Sequence, residues 1–199
     1  MPRIKADTVA EHVAHQEAAV IAAATRLFAE HGVDRVSLGD IAAEVGLKRN
    51  SIYRYFPDKG HILAAWFRSE LAPLIALCRE IATSDAPAAE RLDAWMTTQL
   101  EYLTNPEHTR MLAAANELTG LSDDVRDDIG AGHRDLYSTL TPIVVELLKT
   151  GGTAGRDARL VTMLLVGVLR SSAELVDAGS PPRKVRAEML AAARAITAG

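Results

Sequence analysis

Cysteine is almost absent. Cys78 is the single one in 199 residues, so no internal disulfide framework can form and a reducing compartment is expected. Aromatic residues are also scarce, nine against 34 alanines, which favours helix over strand. Long apolar runs are missing. The longest notable one, Leu160 to Leu169, is ten residues between Arg159 and Arg170, about half of what a membrane span needs. No basic-then-apolar leader with a small-residue cleavage site is read, so a cytoplasmic protein without membrane attachment is expected. There is no glycine-rich phosphate loop, no Gly-x-Ser-x-Gly elbow and no His-Glu-x-x-His pair, so an enzyme is not expected, nor a cofactor. His12 and His15 lie three apart, but no second pair or cysteine cluster completes a metal site. A solvated face is expected there.

What remains is an ordinary globular composition, 48% hydrophobic and 24% charged, with a net charge of −4. That charge is uneven. Residues 1–59 hold eight basic and eight acidic side chains, and residues 60–199 hold fourteen against eighteen. Lys48, Arg49, Arg54 and Lys59 face only Asp58 within residues 47–59, a local charge of +3. A basic island in an acidic chain points to a focused anionic partner; a solvated helix face is the plainer reading of the same charges.

Hydrophobic spacing and punctuation predict helices throughout. A first helix is expected over about 8–31, opened by a Thr8–Glu11 capping pattern and stopped by Gly32. Ser37 and Asp40 cap a short helix ending near Val45. Gly46 breaks the pattern, a second short helix runs about 48–55, and Pro57 closes it. Asp58 opens a helix to about Ile81, with a kink or split expected at Pro73. Further helices are expected near 87–104, 106–119, 123–149, 157–178 and 182–197, the third of these bent at Pro142. The expected fold class is all-α: an N-terminal helix-turn-helix domain over residues 1–59 and a C-terminal helical bundle over 60–199.

Residues 37–59 carry the chemistry. Ile41, Val45 and Leu47 are apolar, and Ile52 and Phe56 lie one turn apart. They form a small core where two helices cross, with Ala42 keeping the crossing thin and Gly46 allowing the sharp turn. The outward face is left with Lys48, Arg49, Asn50, Ser51, Tyr53 and Arg54. Arg pairs bidentately with guanine and Asn with adenine, while hydroxyl and backbone N–H groups bond phosphate oxygens. Lys59, near the next helix start, is placed to meet a phosphate.

These residues resemble the TetR family of bacterial transcriptional repressors. The resemblance rests on Ile41-Ala42, Gly46, Ser51, Tyr53 to Phe56, and Lys59, preceded by Phe28, Ala29, Glu30, His31 and Gly32. It implies that Arg49, Asn50 and Tyr53 approach bases, and that Ser37, Ser51, Tyr55 and Lys59 touch the phosphate backbone. Lys48 stands where a capping Ser or Thr is common, Asn50 where Gly or Pro is frequent, and Gly60 where Glu is common.

The resemblance also implies a homodimer on double-stranded operator DNA and a small-molecule inducer held by the bundle. The helix carrying Leu160, Met163, Leu164, Val166, Val168 and Leu169 is apolar nearly all round, as expected of a helix buried on more than one side. With Val185, Met189, Leu190, Ala193 and Ile196 it would form a two-fold interface, Leu165 and Met189 facing the partner. Candidate inducer contacts are Trp95, Met96, Gln99, Tyr102, Met111, Asn116, Tyr137 and Met163, a mostly apolar set that suits a hydrophobic or aromatic molecule. The helix from Asp58 is expected to carry Trp66 and Phe67 into the bundle. Arg170 is expected to pair with Glu174 or with the partner, and Cys78 to be a buried small hydrophobe. The alternative function is a helical small-molecule or protein binding module without DNA release.

Overall fold

Val20, Ala24 and Phe28, at four-residue spacing, are buried on one face of helix α1 (Ala6–His31). Gly32 ends α1 at φ 81°, a conformation other residues adopt only under strain. Helix α2 (Leu38–Glu44) follows. Its N-terminus is a full capping box, in which Ser37 Oγ accepts from the Asp40 amide and the Asp40 carboxylate accepts from the Ser37 amide. The molecule is a computed structural model and describes residues 6–106, 108–109, 121–151 and 155–198.

The remaining helices are α3 (Lys59–Thr83), α4 (Ala88–Leu103), α5 (Asp123–Ser138), α6 (Thr141–Thr150), α7 (Ala158–Asp177) and α8 (Pro182–Ala198). No strand occurs among the described residues. The protein is all-α, as its alanine-rich, aromatic-poor composition predicts.

Three expectations need correction. The second short helix is a 3-10 helix, Arg49–Arg54, because six residues between a turn and a proline are too few to propagate α-helical bonding. Pro73 neither ends nor splits α3; it is exposed, while Leu71 and Leu74 on either side are buried. At Pro142 the chain does not bend but breaks into two helices. Proline then sits in the first turn of α6, where its missing N–H costs no helical hydrogen bond.

The described residues form two compact units, 6–69 with 121–130, and 70–109 with 131–198. The division falls inside α3, ten residues beyond the boundary expected after Lys59, and part of α5 belongs to the first unit. The first unit is built on Val20, Phe28, Val36, Ile41, Ile52, Phe56, Ile62 and Leu63. Trp66 and Phe67 complete this core, edge to face at 4.8 Å, rather than entering the bundle.

The second unit packs the later half of α3 with α4 and α6–α8 around Leu74, Cys78, Leu92, Trp95, Met96, Ile143, Leu165 and Leu169. By length and composition α3 is apolar enough to cross a membrane. Ile62, Leu63, Ala65, Trp66 and Phe67 are spent in the first core, and Leu71, Leu74 and Cys78 in the second.

Within the first unit, α3 and α5 are tied by charge. Asp58 accepts from the His61 amide, capping α3, and its carboxylate also lies 2.9 Å from His61 Nδ1. His61 Nε2 lies 3.2 Å from Asp124 in the first turn of α5, and Arg68 pairs with Asp128 one turn further along. The hydrogen bond to Asp58 raises the His61 pKa above its ordinary 6.5, against partial desolvation, and Asp124 adds to the rise. Burial opposes ionisation of Asp58, but the His61 bonds outweigh it and lower its pKa.

A group whose pKa is raised by folding contributes stability below its unfolded pKa, and that contribution disappears as pH rises through the folded value. The Asp58 contribution behaves oppositely, being lost only as pH falls through its depressed pKa. Thermal unfolding followed by circular dichroism from about pH 6 to about pH 9 is therefore expected to show a midpoint that falls more in wild type than in His61→Gln.

Candidate nucleic-acid interface and effector site

The turn that presents the interface is closed by backbone bonds. Leu47 N–H donates to Ala42 O at 2.8 Å and Gly46 N–H to Ala43 O at 3.1 Å, the paired bonds of a glycine-terminated helix end, with Gly46 at φ 70°. Ile41, Ala42, Ile52 and Phe56 are buried beneath this turn.

The opposite face is left to solvent. Lys48, Arg49, Asn50, Tyr53 and Arg54 are all exposed, and the Tyr53 ring is 54% accessible. Ser51 is half-buried, and its amide already donates to Lys48 O at 2.7 Å. The structure thus gathers the predicted basic and amide-bearing side chains onto one short exposed segment.

Three predicted contacts are differently employed. The Ser37 hydroxyl donates to the Asp40 carboxylate at 2.7 Å, so it is a helix cap before it is a phosphate donor. The backbone and side-chain bonds from Ser37 hold the Asp40 pKa below its usual value, with the nearby Arg49 charge adding to them. Tyr55 is half-buried and packs against the first core. Lys59 Nζ donates to Val33 O at 2.7 Å, tying α3 to the turn after α1 and leaving two ammonium hydrogens for other acceptors.

Gly39 was not foreseen. A Cβ there would lie 3.4 Å from Ser37 Oγ and 3.6 Å from Arg49 Nε, so Arg49 folds across the start of α2. Only its place one residue before Asp40 in the capping box hinted at a role.

The candidate effector residues separate into three groups. Trp95, Met96 and Gln99 are buried in the second core with their polar atoms engaged: the Trp95 indole N–H donates to Thr139 Oγ1 at 2.8 Å and Gln99 Nε2 to Cys78 Sγ at 3.1 Å. Burial pushes the Cys78 thiol pKa up, keeping it protonated and inert, as its expected role as a small hydrophobe requires. Tyr102 and Tyr137 are half-buried, and Arg170 lies 5.7 Å above the Tyr137 ring. Met163 is 54% exposed and lines no interior site, a correction that follows from its place on the outer face of α7. Met111 and Asn116 lie outside the described residues.

His108, which no sequence pattern singled out, is 3% exposed and stacks on Tyr102 with ring centroids 4.1 Å apart. Desolvation, with a smaller contribution from His133, pushes its pKa down to about 4, so the ring is neutral near pH 7. Tyr102 is shifted upward, first by burial and then by Glu70 and Tyr137. Its hydroxyl is buried and has no hydrogen-bond partner among the described residues.

Two residues expected to face a partner are interior instead. Leu165 and Met189 are buried inside the protomer at 0% and 2% exposure, whereas Leu160, Met163, Leu164 and Leu175 of α7 are more than half exposed. A one-residue error in phase turns a helical side chain by about 100° and so exchanges inner for outer positions. Among the described residues no group of three metal-ligating side chains gathers.

Residues 20–66 match the family described as bacterial regulatory proteins, tetR family. The fatty acid metabolism regulator protein of Bacillus subtilis is 25% identical over 151 residues, covering 75% of this chain and 77% of its own. A TetR/AcrR-family regulator from Thermobifida fusca superposes with TM-score 0.71 at 24% identity, over 93% of this chain and 98% of that one. FadR of Bacillus subtilis, solved with stearoyl-CoA, gives TM-score 0.69 at 23% identity, covering 87% and 95%. The matched segment holds the turn at Gly46 and the whole exposed segment from Lys48 to Arg54, and the likeness of fold continues through the bundle. Over residues 20–66 this chain thus carries the N-terminal segment of the tetR family of bacterial regulatory proteins, and the relatives it matches beyond that segment are named as transcriptional regulators, not enzymes.

Proposed function

We propose that the protein is a cytoplasmic homodimeric repressor that binds an inverted-repeat operator and is released by a long-chain acyl compound. The observation that carries the DNA part is the exposed segment Lys48–Arg54 on a helix-turn-helix in an otherwise acidic chain. Arg49 and Asn50 read base edges, whereas Lys48, Ser51, Tyr53, Arg54 and Lys59 hold phosphates or flank the reading pair. Ser37 and Tyr55 contribute by holding the segment in place. The dimer uses the outer face of α7 with α8, where an open groove of about 700 Å³ is lined by Leu164, Val168, Leu175, Val185 and Met189. The acyl class is supported by the relatives named as fatty acid regulators and by the stearoyl-CoA in one of them.

Binding is tested by fluorescence anisotropy on the DNA flanking the protein's own gene. Arg49→Ala is expected to relax preference at one base pair of each half-site by about 1–3 kcal/mol. Lys59→Ala should weaken every sequence alike and flatten the dependence on salt. A change of sequence preference in Lys59→Ala at unaltered salt slope contradicts this division.

Leu164→Glu with Leu175→Glu should give a folded monomer by sedimentation, since both side chains are outside the protomer core. The same variant should lose operator affinity, because one half-site, about 34 Å from the other, then has no linked partner. A variant that stays dimeric moves the interface elsewhere.

Release requires that stearoyl-CoA bind the DNA-incompetent form more tightly, with a coupling of about 1–3 kcal/mol. Reciprocity makes operator DNA weaken stearoyl-CoA binding by the same factor. Calorimetric titration with and without operator checks this, and equal affinities would leave a binding module without DNA release.

A further inference from the structure

Tyr102 presents an unresolved cost. Its hydroxyl is buried and bonded to nothing among the described residues, whereas the buried polar groups of Trp95, Gln99 and Arg91 are paired. A buried hydroxyl left unbonded is unfavourable, and native proteins retain such groups where a partner arrives later. The ring cannot easily swing away. It is stacked on the buried His108 ring, and electrostatically it senses Tyr137 and Glu70.

The surroundings describe a polar corner in an otherwise aliphatic core. His108 senses His133, His133 lies 6.2 Å from Tyr137, and Tyr137 lies beneath the Arg170 guanidinium. Side chains from α4, α5 and α7 and from the segment after α4 therefore converge, running from buried at His108 through half-buried at Tyr102 and Tyr137 to exposed at Arg170. The group at its inner end, which also senses the Glu70 carboxylate, is a donor without an acceptor among the described residues.

We infer that the Tyr102 hydroxyl is the donor that receives the carbonyl oxygen of the effector, with His108 holding the ring in position. The ligand class is an apolar chain bearing a buried hydrogen-bond acceptor: a thioester or carboxylic acid, rather than a plain hydrocarbon or a thioether. This deepens the acyl reading above and rests on it. It also gives the site a means of discrimination, because a ligand without the acceptor leaves the hydroxyl unbonded in the complex.

The test is a thermodynamic cycle on the full-length protein, read by calorimetry. The probes are stearoyl-CoA and S-octadecyl-CoA, the thioether that has methylene in place of the carbonyl. The variants are wild type and Tyr102→Phe. Wild type is expected to bind the thioester roughly ten-fold more tightly than the thioether, and Tyr102→Phe to bind both alike, at the weaker affinity. Without ligand, Tyr102→Phe should unfold at the same temperature as wild type or higher, since only an unbonded hydroxyl is removed.

If wild type binds neither probe, the acyl reading fails and this assignment falls with it. If wild type binds both and the thioester preference survives in Tyr102→Phe, or never existed, the acyl reading stands and the Tyr102 assignment alone is overturned. A Tyr102→Phe protein that is less stable without ligand, with its thioester preference intact, would make Tyr102 a structural residue and likewise overturn it.

Discussion

Ile52 and Phe56 are the buried side chains by which the segment after Gly46 holds to its unit, and the rest of the interface depends on them. Once these two enter the core beside Ile41 and Phe28, the rotation of the segment is settled, and Arg49, Asn50, Tyr53 and Arg54 have nowhere to go but outward. Such a short 3-10 helix would not persist alone, since so few internal hydrogen bonds cannot offset the ordering of its backbone. Tertiary burial holds it. The glycine at φ 70° lets two short elements meet closely enough for that burial to occur.

Around this grip the first unit is braced by polar contacts that do several jobs. Ser37 and Asp40 close the start of α2, and Arg49 bends back across Gly39 toward the same charge. Lys59 ties α3 to Val33, while Asp58 and His61 fasten the start of α3 to α5. Residues that a family pattern marks as touching phosphate therefore also hold the fold. In the proposed complex the two roles share a cause: a group that positions the segment must lie at its edge, where the DNA backbone is proposed to pass.

The bundle solves a different problem. Its aliphatic core is closed around Trp95, Leu92, Ile143 and Leu165, with polar atoms satisfied one by one. The exception is the corner at Tyr102 and His108, where an aromatic and titratable set replaces aliphatic packing. In the proposed complex the Tyr102 hydroxyl, unbonded among the described residues, is where the ligand completes the core.

Much was legible in the residues themselves. Helical class, the capping box at Ser37, the turn at Gly46 and the basic outward segment all follow from local chemistry, because caps, glycine conformations and four-residue spacing act over a few neighbours. The neighbours of Pro142 decided between a bend and a break, and the six residues from Arg49 were too short for periodicity to separate 3-10 from α. Which face of α7 points outward needed the tertiary structure, because a helix apolar on nearly all sides has no phase to read: Leu164 and Leu165 look alike in sequence, yet one is exposed and the other fully buried. Tyr102 could be named from its residue type but not its state. Whether a hydroxyl finds a partner depends on groups far away in the chain, and His108, which stacks on it, announced itself by no pattern at all. Local composition determined what the elements are; only packing decided which side chains were left with work to do.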